Sequence, residues 1–145
     1  MASRRKARIH AMQALFSWDI SGTPLEELLA FQWVPERTEP DAREKREQTL
    51  AFSRLLVSGT IEHLEEVDQA IEAHLEHWKL ERLAKVDLAI LRLSAYSLLY
   101  QRDVPASVTI DEAIDLAKEF GSRDSYRFVN GVLDAIRKDR DAAAQ

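Results

Sequence analysis

The sequence predicts an all-α protein. Apolar residues recur at helical spacing along most of its 145 residues. Only four glycines and four prolines interrupt the chain, and they fall between the segments of helical period. No segment shows a convincing alternation of apolar and polar residues, which a strand would require. We therefore expect about seven helices in one domain.

The first two predicted helices are separated by a short turn. Helix one extends from about Ser3 to Trp18 or Ile20, and only a narrow strip of it is polar, which is typical of a helix buried around most of its circumference. A Ser-Gly pair marks its end. Pro24 suits the first turn of a short helix two, which ends at about Gln32.

Helices three and four follow a loop with two prolines at residues 33–40. Asp41 with Glu44 has the pattern of a capping box that opens helix three. The Ser-Gly-Thr sequence at 58–60 predicts a break or kink, and its threonine can cap helix four. Helix four carries apolar residues at helical spacing as far as Trp78.

Helix five, from about Leu80 to Tyr100, is the most apolar segment, so we expect it at the centre of the C-terminal half. A second capping box, Thr109 with Glu112, predicts the start of helix six. Gly121 suits the position that follows the C-terminus of that helix.

Helix seven begins at Ser122 or Asp124, and Gly131 within it predicts the close approach of another helix or a ligand. The last residues have the composition of a frayed tail. We therefore expect one helical domain over residues 1–138, with halves at about 1–59 and 60–138, and a flexible tail at 139–145.

Composition excludes several classes of protein. The chain has no cysteine, which excludes disulfide scaffolds, cysteine-ligated zinc, thiol catalysis and iron–sulfur clusters. Charged residues interrupt every apolar run, so we expect no membrane span. The N-terminus is basic but lacks the apolar region of a signal peptide, and we therefore expect a cytoplasmic protein.

No motif predicts catalysis or a cofactor, because the glycines are isolated and no serine lies in a nucleophile elbow. His74, His77 and Glu81 could meet a metal on one helix face, but the exposed end of helix four explains them better. Asp68 and Asp87 interrupt apolar faces and could be catalytic, although such carboxylates are more often hydrogen-bonded structural groups. We expect no catalytic residue, cofactor or metal.

Basic residues are concentrated at the N-terminus. Residues 1–18 carry Arg4, Arg5, Lys6 and Arg8 and no acid, whereas the remaining chain has 16 basic and 25 acidic residues. Arg4 and Arg8 fall on the side of helix one assigned to the core, where an unpaired guanidinium cannot be buried, so we expect the first two turns to project beyond the packed body. Cations at a helix N-terminus oppose its dipole and call for an anionic ligand such as RNA. A solvated basic tail is the alternative.

Four strings together resemble the NusB family of bacterial transcription antitermination factors. They occur in the family's order and cover nearly the whole chain: RRKAR..AMQALF from Arg4, KVDLAILRLSAYSLL from Lys85, DVPASVTIDEAIDLAKEFG from Asp103 and DSYRFVNGVLD from Asp124. The last two strings are the most specific.

The resemblance implies a fold of two three-helix-like bundles packed together. It implies binding to single-stranded boxA RNA of the nascent ribosomal-RNA leader, together with the small-subunit ribosomal protein NusE. That pair joins an RNA polymerase complex with other antitermination factors, and the activity is assembly, not catalysis. Exposed apolar residues near the basic segment permit either a monomer or a homodimer.

The resemblance also implies which residues act. RNA contacts are implied at Arg4, Arg5, Lys6, Arg8, Gln13, Arg92, Asp124, Tyr126, Arg127 and Phe128. Partner contacts are implied at Phe16 and Asp87. In mechanism, the basic segment holds phosphates, unstacked bases meet helix seven, and an acidic, partly apolar surface receives the basic ribosomal protein.

Four of these residues have features of their own. Lys6 replaces an arginine of other members and cannot grip phosphate through two parallel hydrogen bonds. Tyr126 stands where another member has histidine, and it can stack on a base. Many members have tyrosine where Phe16 stands, and Phe128 falls on the apolar face of helix seven, where core packing is the alternative.

Two rival functions follow. One is a helical protein-interaction module with no specific RNA binding. The other is an enzyme, because a domain of this fold precedes some ribosomal-RNA cytosine methyltransferases. Since the sequence ends at Gln145 without room for a cofactor-binding α/β domain, we expect no attached catalytic domain.

Overall fold

The computed structural model describes residues 3–76 and 79–144, which form seven α-helices and one short 3-10 helix without any strand. The 3-10 helix spans Leu80–Arg82 and precedes α5. The α-helices are α1 (Arg4–Ser21), α2 (Leu25–Leu28), α3 (Pro40–Glu62), α4 (Leu64–Glu72), α5 (Lys85–Tyr100), α6 (Ala106–Phe120) and α7 (Ser125–Ala143). This confirms the predicted all-α class. Within the described ranges, no helix is long and apolar enough to cross a membrane.

Helix α5 is the central element of the fold. Every residue from Asp87 to Leu98 is buried, and α5 packs against α1, α3, α4, α6 and α7. One group of helices comprises α1, α2 and α3, and the other comprises α4 to α7. Each fully buried leucine or isoleucine of α5 stabilises the fold by about 1.5–3 kcal/mol relative to an exposed one. The apolar character of α5 therefore correctly predicts a central position. Helix α5 contacts helices of both groups, however, and not only those of the C-terminal group.

The break expected at residues 58–60 is wrong, because α3 continues without interruption to Glu62. Gly59 serves packing: a Cβ atom at this position would lie 2.2 Å from the Cζ atom of Tyr96. Thr60 does not cap a helix, since its hydroxyl donates to the carbonyl oxygen of Leu56 at 2.7 Å. The turn between α3 and α4 comes instead at His63.

Prolines, and not the two capping boxes, set the starts of α3 and α6. Pro40 is the first residue of α3, and no side chain caps this helix. Pro105 immediately precedes α6, which leaves Thr109 buried inside the helix. Proline fixes φ near the helical value and lacks the N–H that a first turn leaves unpaired. The proline signal therefore outweighs the capping-box pattern at both sites.

Helix α2 ends at Leu28, earlier than expected. The chain then turns through Phe31, which adopts a positive φ of 49° and is fully buried. The guanidinium of Arg54 on α3 holds this turn, because its Nε atom donates to the carbonyl oxygen of Leu29 at 2.9 Å. Where we expected the last turn of helix two, the chain instead forms a turn that buries the Phe31 ring.

At the other end of the chain, α7 continues through Ala143, where we expected a frayed tail from residue 139. Arg140 explains the longer helix. Its Nη1 atom donates to the carbonyl oxygen of Leu98 at 3.1 Å, and its Nη2 atom pairs with Asp141 at 2.8 Å. The bond to Leu98 attaches the last turns of α7 to the end of α5, and the pair with Asp141 lies within α7.

Two glycine substitutions should have opposite effects on stability. We expect Gly59→Ala to lower the free energy of unfolding by about 1–3 kcal/mol, because the new methyl group collides with the Tyr96 ring. Gly131 lies inside α7, and no other described helix comes within 4 Å of the place where a Cβ atom would lie, so the predicted close approach of a helix is wrong and that of a ligand stays a prediction. Gly131→Ala should raise the free energy of unfolding by about 0.5–1 kcal/mol.

Urea unfolding of the two variants and the unaltered protein measures both effects. Equal destabilisation by the two substitutions would contradict this account of the glycines.

Candidate nucleic-acid interface

The first turn of α1 is attached to the body of the protein. Ser3 caps the helix, with its hydroxyl oxygen accepting from the backbone N–H of Lys6 at 3.2 Å. The backbone N–H of Ser3 donates to the hydroxyl oxygen of Thr49 on α3 at 3.3 Å. Ala7 is fully buried. The expectation that the first two turns project beyond the packed body is therefore wrong.

Arg8 is buried in this interface, with 2% of its side chain exposed. Its guanidinium forms an ion pair with Glu112 of α6, and its Nη2 atom lies 3.4 Å from the hydroxyl oxygen of Ser97 on α5. Burial lowers the pKa of Arg8, Glu112 raises it and Arg4 lowers it. Because arginine stays protonated, Arg8 is a paired structural cation and is not accessible to a phosphate.

The neighbouring cation Arg5 has a different environment. Its guanidinium pairs with Glu119 and lies 3.7 Å from Asp115, both on α6. These side chains are about half exposed, at 51%, 45% and 58% for Arg5, Glu119 and Asp115. An exposed ion pair contributes only about 0–1 kcal/mol, so a phosphate can replace the carboxylates.

Arg4 and Lys6 are the accessible cations of the basic segment. Both side chains are exposed, and neither forms an ion pair with another residue that the structure describes. The four basic residues thus divide into two that are free, one that is weakly held and one that is buried. The sequence alone predicted all four at the surface.

Tyr126, near the start of α7, is half-buried against the core and lies close to two cations. The Nζ atom of Lys118 lies 5.1 Å from the centroid of its ring, and the Cζ atom of Arg127 lies 5.4 Å from it. The Nε atom of Arg127 also donates to the Tyr126 hydroxyl at 2.9 Å, and this bond raises the pKa of Arg127. Lys118 precedes Glu119, the partner of Arg5, so this aromatic site follows directly from the end of α6 that faces α1.

Two further residues of the predicted site flank Tyr126. Asp124 is exposed and precedes the first residue of α7, but its side chain makes no capping hydrogen bond. Phe128 is half-buried and packs against the core. Core packing therefore accounts for much of the Phe128 ring, and a base contact at its exposed part stays a prediction.

An apolar depression of about 280 Å³ lies between α1, the first turn of α5 and the end of α6. Gln13 and Phe16 line it from α1, with Val86 and Phe120 opposite. The amide oxygen of Gln13 accepts from the indole N–H of Trp33 at 3.1 Å, which fixes the orientation of this side chain. The depression places Phe16 at an accessible apolar surface, as a partner contact requires.

Asp87 follows Val86 in the first turn of α5. It is 8% exposed, and its buried Oδ1 atom has no hydrogen-bond partner among the residues described. A buried carboxylate oxygen without a donor is unfavourable in the isolated chain. A partner that supplied an N–H or a cation at this position would satisfy it.

Arg92, which the resemblance places among the RNA contacts, is buried and paired with a carboxylate. Its Nε and Nη2 atoms donate to the two carboxylate oxygens of Asp68 on α4, at 2.9 and 3.0 Å. Its Nη1 atom lies 3.5 Å from Asp19 at the end of α1, and its guanidinium lies 5.9 Å from the Trp18 ring centroid. Arg92 therefore connects α1, α4 and α5, and Asp68 is the structural carboxylate that we considered more common.

The histidine pair considered for metal binding falls partly outside the described residues, because His77 is not among them. The Nε2 atom of His74 lies 2.7 Å from a carboxylate oxygen of Asp139. Within residues 3–76 and 79–144, no three histidine, aspartate or glutamate side chains lie together as metal ligands.

Sequence reasoning missed the acidic face of α6. Glu112, Asp115 and Glu119 follow one another at helical spacing and lie opposite the basic residues of α1. That spacing is visible in the sequence, and it could have indicated a helix face that neutralises part of the basic segment.

Comparison with known proteins gives likenesses over nearly the full chain. The NusB family model matches residues 5–138. The transcription antitermination protein NusB of Treponema pallidum (strain Nichols) is 55% identical over 135 residues, which are 93% of this chain and 92% of that protein.

Two solved structures have similar folds. The structure of T. maritima NusB gives a TM-score of 0.77 at 36% identity and covers 96% of this chain and 94% of that one. A crystal structure of antitermination factors NusB and NusE in complex with dsRNA gives a TM-score of 0.76 at 27% identity, with coverage of 94% and 96%.

The Arg8–Glu112 pair should be sensitive to removal of one partner. We expect Glu112→Gln to lower the free energy of unfolding by about 3 kcal/mol or more, because it leaves the buried Arg8 charge without a carboxylate. The double variant Arg8→Met with Glu112→Leu should recover most of that loss. The exposed pair supplies the control: Glu119→Gln should change stability by less than about 0.5 kcal/mol. Urea unfolding of each variant measures these differences, and equal effects at residues 112 and 119 would contradict the assignment.

Proposed function

Because the chain belongs to the NusB family, we propose that it is an RNA-binding transcription antitermination factor that acts together with the ribosomal protein NusE. One observation carries the proposal for this chain. Arg4 and Lys6 are exposed and unpaired by described residues, on a protein whose remaining chain is strongly acidic. Such a local cationic site on an acidic body selects and steers a polyanion. A structure of NusB and NusE in complex with dsRNA, similar in fold to this chain, supports the same function.

The RNA contacts begin at α1 and continue to α7. Arg4 and Lys6 hold phosphates, and Arg5 exchanges the carboxylate of Glu119 for a third phosphate. The strand then follows the end of α6 to Tyr126, where an unstacked base stacks on the exposed part of the ring, close to Lys118 and Arg127. We propose single-stranded boxA RNA as the ligand, because unstacked bases are what sequence-specific RNA recognition uses.

In this mechanism, Arg8 and Arg92 stabilise the fold and do not contact RNA. Arg8 holds α1 against α6, and Arg92 connects α1 to α4 and α5. Neither guanidinium is accessible, so a phosphate contact by either would require breaking a buried ion pair at a cost of about 3–5 kcal/mol. The proposed RNA-contact set therefore loses Arg8 and Arg92 and keeps the other predicted residues: Arg4, Arg5, Lys6, Gln13, Asp124, Tyr126, Arg127 and Phe128.

NusE occupies the apolar depression beside Gln13 and Phe16, with Asp87 at its edge. An apolar group fills the depression, and a donor of the ribosomal protein satisfies the Oδ1 atom of Asp87. The partner and RNA sites both involve α1 and the end of α6, so the two proteins together form a composite RNA surface. Each ligand then tightens the other by the same factor.

The proposed activity is assembly of a complex around RNA polymerase and not catalysis. It requires no cofactor and no metal, and it takes place in the cytoplasm, where bacterial RNA is made. An alternative has one observation in its favour. Two of the four basic residues, Arg5 and Arg8, are paired with the protein's own carboxylates, as in a helical interaction module without specific RNA binding.

A titration decides between these functions. BoxA RNA and a scrambled RNA of the same length are each titrated with the protein, with and without NusE. The proposal requires tighter binding of boxA RNA when NusE is present. Equal binding of both RNAs in that mixture supports the alternative and removes the specific part of the proposal.

The salt dependence of RNA affinity should identify the cations that touch phosphate. For Arg4→Ala with Lys6→Ala, we expect the slope of log affinity against log salt to decrease in magnitude by about 0.7 for each phosphate that is no longer neutralised. The matched control is Lys79→Ala with Arg82→Ala, which removes one lysine and one arginine from exposed positions before α5. An equal change of slope in both double variants would contradict the assignment.

Asp87→Asn should separate partner binding from stability. We expect the free energy of unfolding to change by less than about 1 kcal/mol, because Asp87 lacks a hydrogen bond at Oδ1 and gains only the helix dipole. NusE affinity should fall at least about tenfold, which corresponds to about 1.4 kcal/mol, as for the removal of a charge-assisted hydrogen bond. Calorimetric titration measures the affinity, and an unchanged affinity would place NusE elsewhere.

A further inference from the structure

A second concave surface lies on the other side of α1, away from α6. It is a cleft of about 470 Å³ between α1, the segment 34–37 and the first half of α3. Its charged or ionisable lining residues are Lys6, His10, Arg37, Lys45 and Arg46. No aspartate or glutamate lines it among the residues that the structure describes. We call it the α1–α3 cleft.

The wall of this cleft is held in place by the protein itself. Arg46 is largely buried, and its Nε and Nη2 atoms donate to the carbonyl oxygens of Pro35 and Val34 at 2.9 and 3.0 Å. The neighbouring Arg43 donates to the carbonyl oxygen of Thr38 at 3.2 Å. The segment is therefore shaped before any ligand arrives, which reduces the entropy cost of binding.

The cations of the cleft are not neutralised. Lys6, Arg37 and Lys45 are exposed, and no ion pair joins them to another described residue. The carboxylate of Glu47 lies 3.0 Å from Arg46, but Glu47 is exposed and does not line the cleft. Cations in a concave surface focus the field on an anion. The segment 36–47 also carries five acidic residues, but none of them lines the cleft.

His10 supplies an independent observation. It lines the cleft, and its Nδ1 atom is buried without a hydrogen-bond partner among described residues. Burial lowers the pKa of His10, a side-chain hydrogen bond with Gln13 raises it, and the charges of Lys6 and Arg46 lower it. An anion in the cleft would offset the positive charges of Lys6 and Arg46 and thereby favour the protonated ring of His10.

We propose that the α1–α3 cleft is a second phosphate-binding site, which holds a phosphodiester group of the RNA bound at the basic segment. The proposal rests on the RNA-binding function. Lys6 belongs to both surfaces, so a strand that contacts Arg4 and Lys6 continues into the cleft towards Arg37 and Lys45. RNA then contacts both sides of the first turns of α1, and the footprint extends beyond the part that reaches Tyr126.

The first experiment measures RNA affinity as a function of salt. The variant Arg37→Ala with Lys45→Ala removes two cations whose side chains lie at the surface, and the matched control is again Lys79→Ala with Arg82→Ala. Two RNAs are used, boxA alone and boxA with flanking nucleotides on both sides. We expect the cleft variant to reduce the slope of log affinity against log salt for the longer RNA by about 0.7 per phosphate contact. The control should leave it unchanged.

The second experiment uses inorganic phosphate and does not depend on RNA. The imidazole resonances of His10 are followed by NMR during a phosphate titration at constant ionic strength. We expect phosphate to shift these resonances and to raise the pKa of His10 in the unaltered protein, and to do neither in the cleft variant.

The outcomes separate the two proposals. If no RNA binds the unaltered protein but phosphate shifts His10, the RNA-binding function fails, and the cleft is a site for a free phosphate. If RNA binds and the cleft variant keeps the slope and affinity of the unaltered protein, the cleft proposal is overturned while the RNA-binding function stands. A smaller slope together with the His10 shift supports both.

Discussion

The buried ion pair between Arg8 and Glu112 is the constraint on which the rest of the interface depends. A guanidinium with almost no exposure is tolerated only beside its carboxylate, so α1 cannot rotate about its axis without leaving a charge unpaired. The pair therefore fixes the orientation of α1 more than it adds net stability. With Arg8 directed towards α6, Arg5 lies along the same face, and Lys6 lies on the face towards α3.

This orientation divides the functions of a short basic sequence. Residues three apart share a helix face, so Arg5 and Arg8 both meet the carboxylates of α6. The intervening Lys6 turns to the opposite side and faces no carboxylate of the α1–α3 cleft. The four cations of this segment therefore differ in role. Arg8 is held in a buried ion pair, Arg5 forms an exposed ion pair, and Arg4 and Lys6 form no ion pair with described residues. The acidic remainder of the chain confines the attraction for polyanions to this end of the molecule.

Local patterns predicted the helices well, because each one buries an apolar face with a period that the sequence shows directly. The errors came from contacts between distant residues or from competing local signals. Gly59 suggests a helix break in the sequence, but the structure shows that a glycine is needed there because Tyr96 of α5 packs against it. Pro40 and Pro105 set the starts that the capping boxes were expected to set.

The candidate site shows the same limit. Resemblance placed Arg92 and Tyr126 in one functional set, but only tertiary contacts show that Arg92 is buried and bound to Asp68 while Tyr126 is half-buried and keeps part of its ring at the surface. Burial alone does not separate structural from functional ionisable groups, since Arg8, Arg92 and Asp87 are all buried. The partners of these groups separate them. Arg8 and Arg92 face carboxylates, whereas Asp87 faces no opposite charge among described residues.

His10 resembles Asp87 in this respect, because its buried Nδ1 atom has no hydrogen-bond partner among described residues. A polar atom that is desolvated without compensation costs free energy in the isolated chain, and a ligand that satisfies it gains that amount on binding. His10 lines the cleft where we propose a phosphate, and Asp87 follows Val86 of the depression where we propose NusE, so the proposed ligands would recover this cost on assembly.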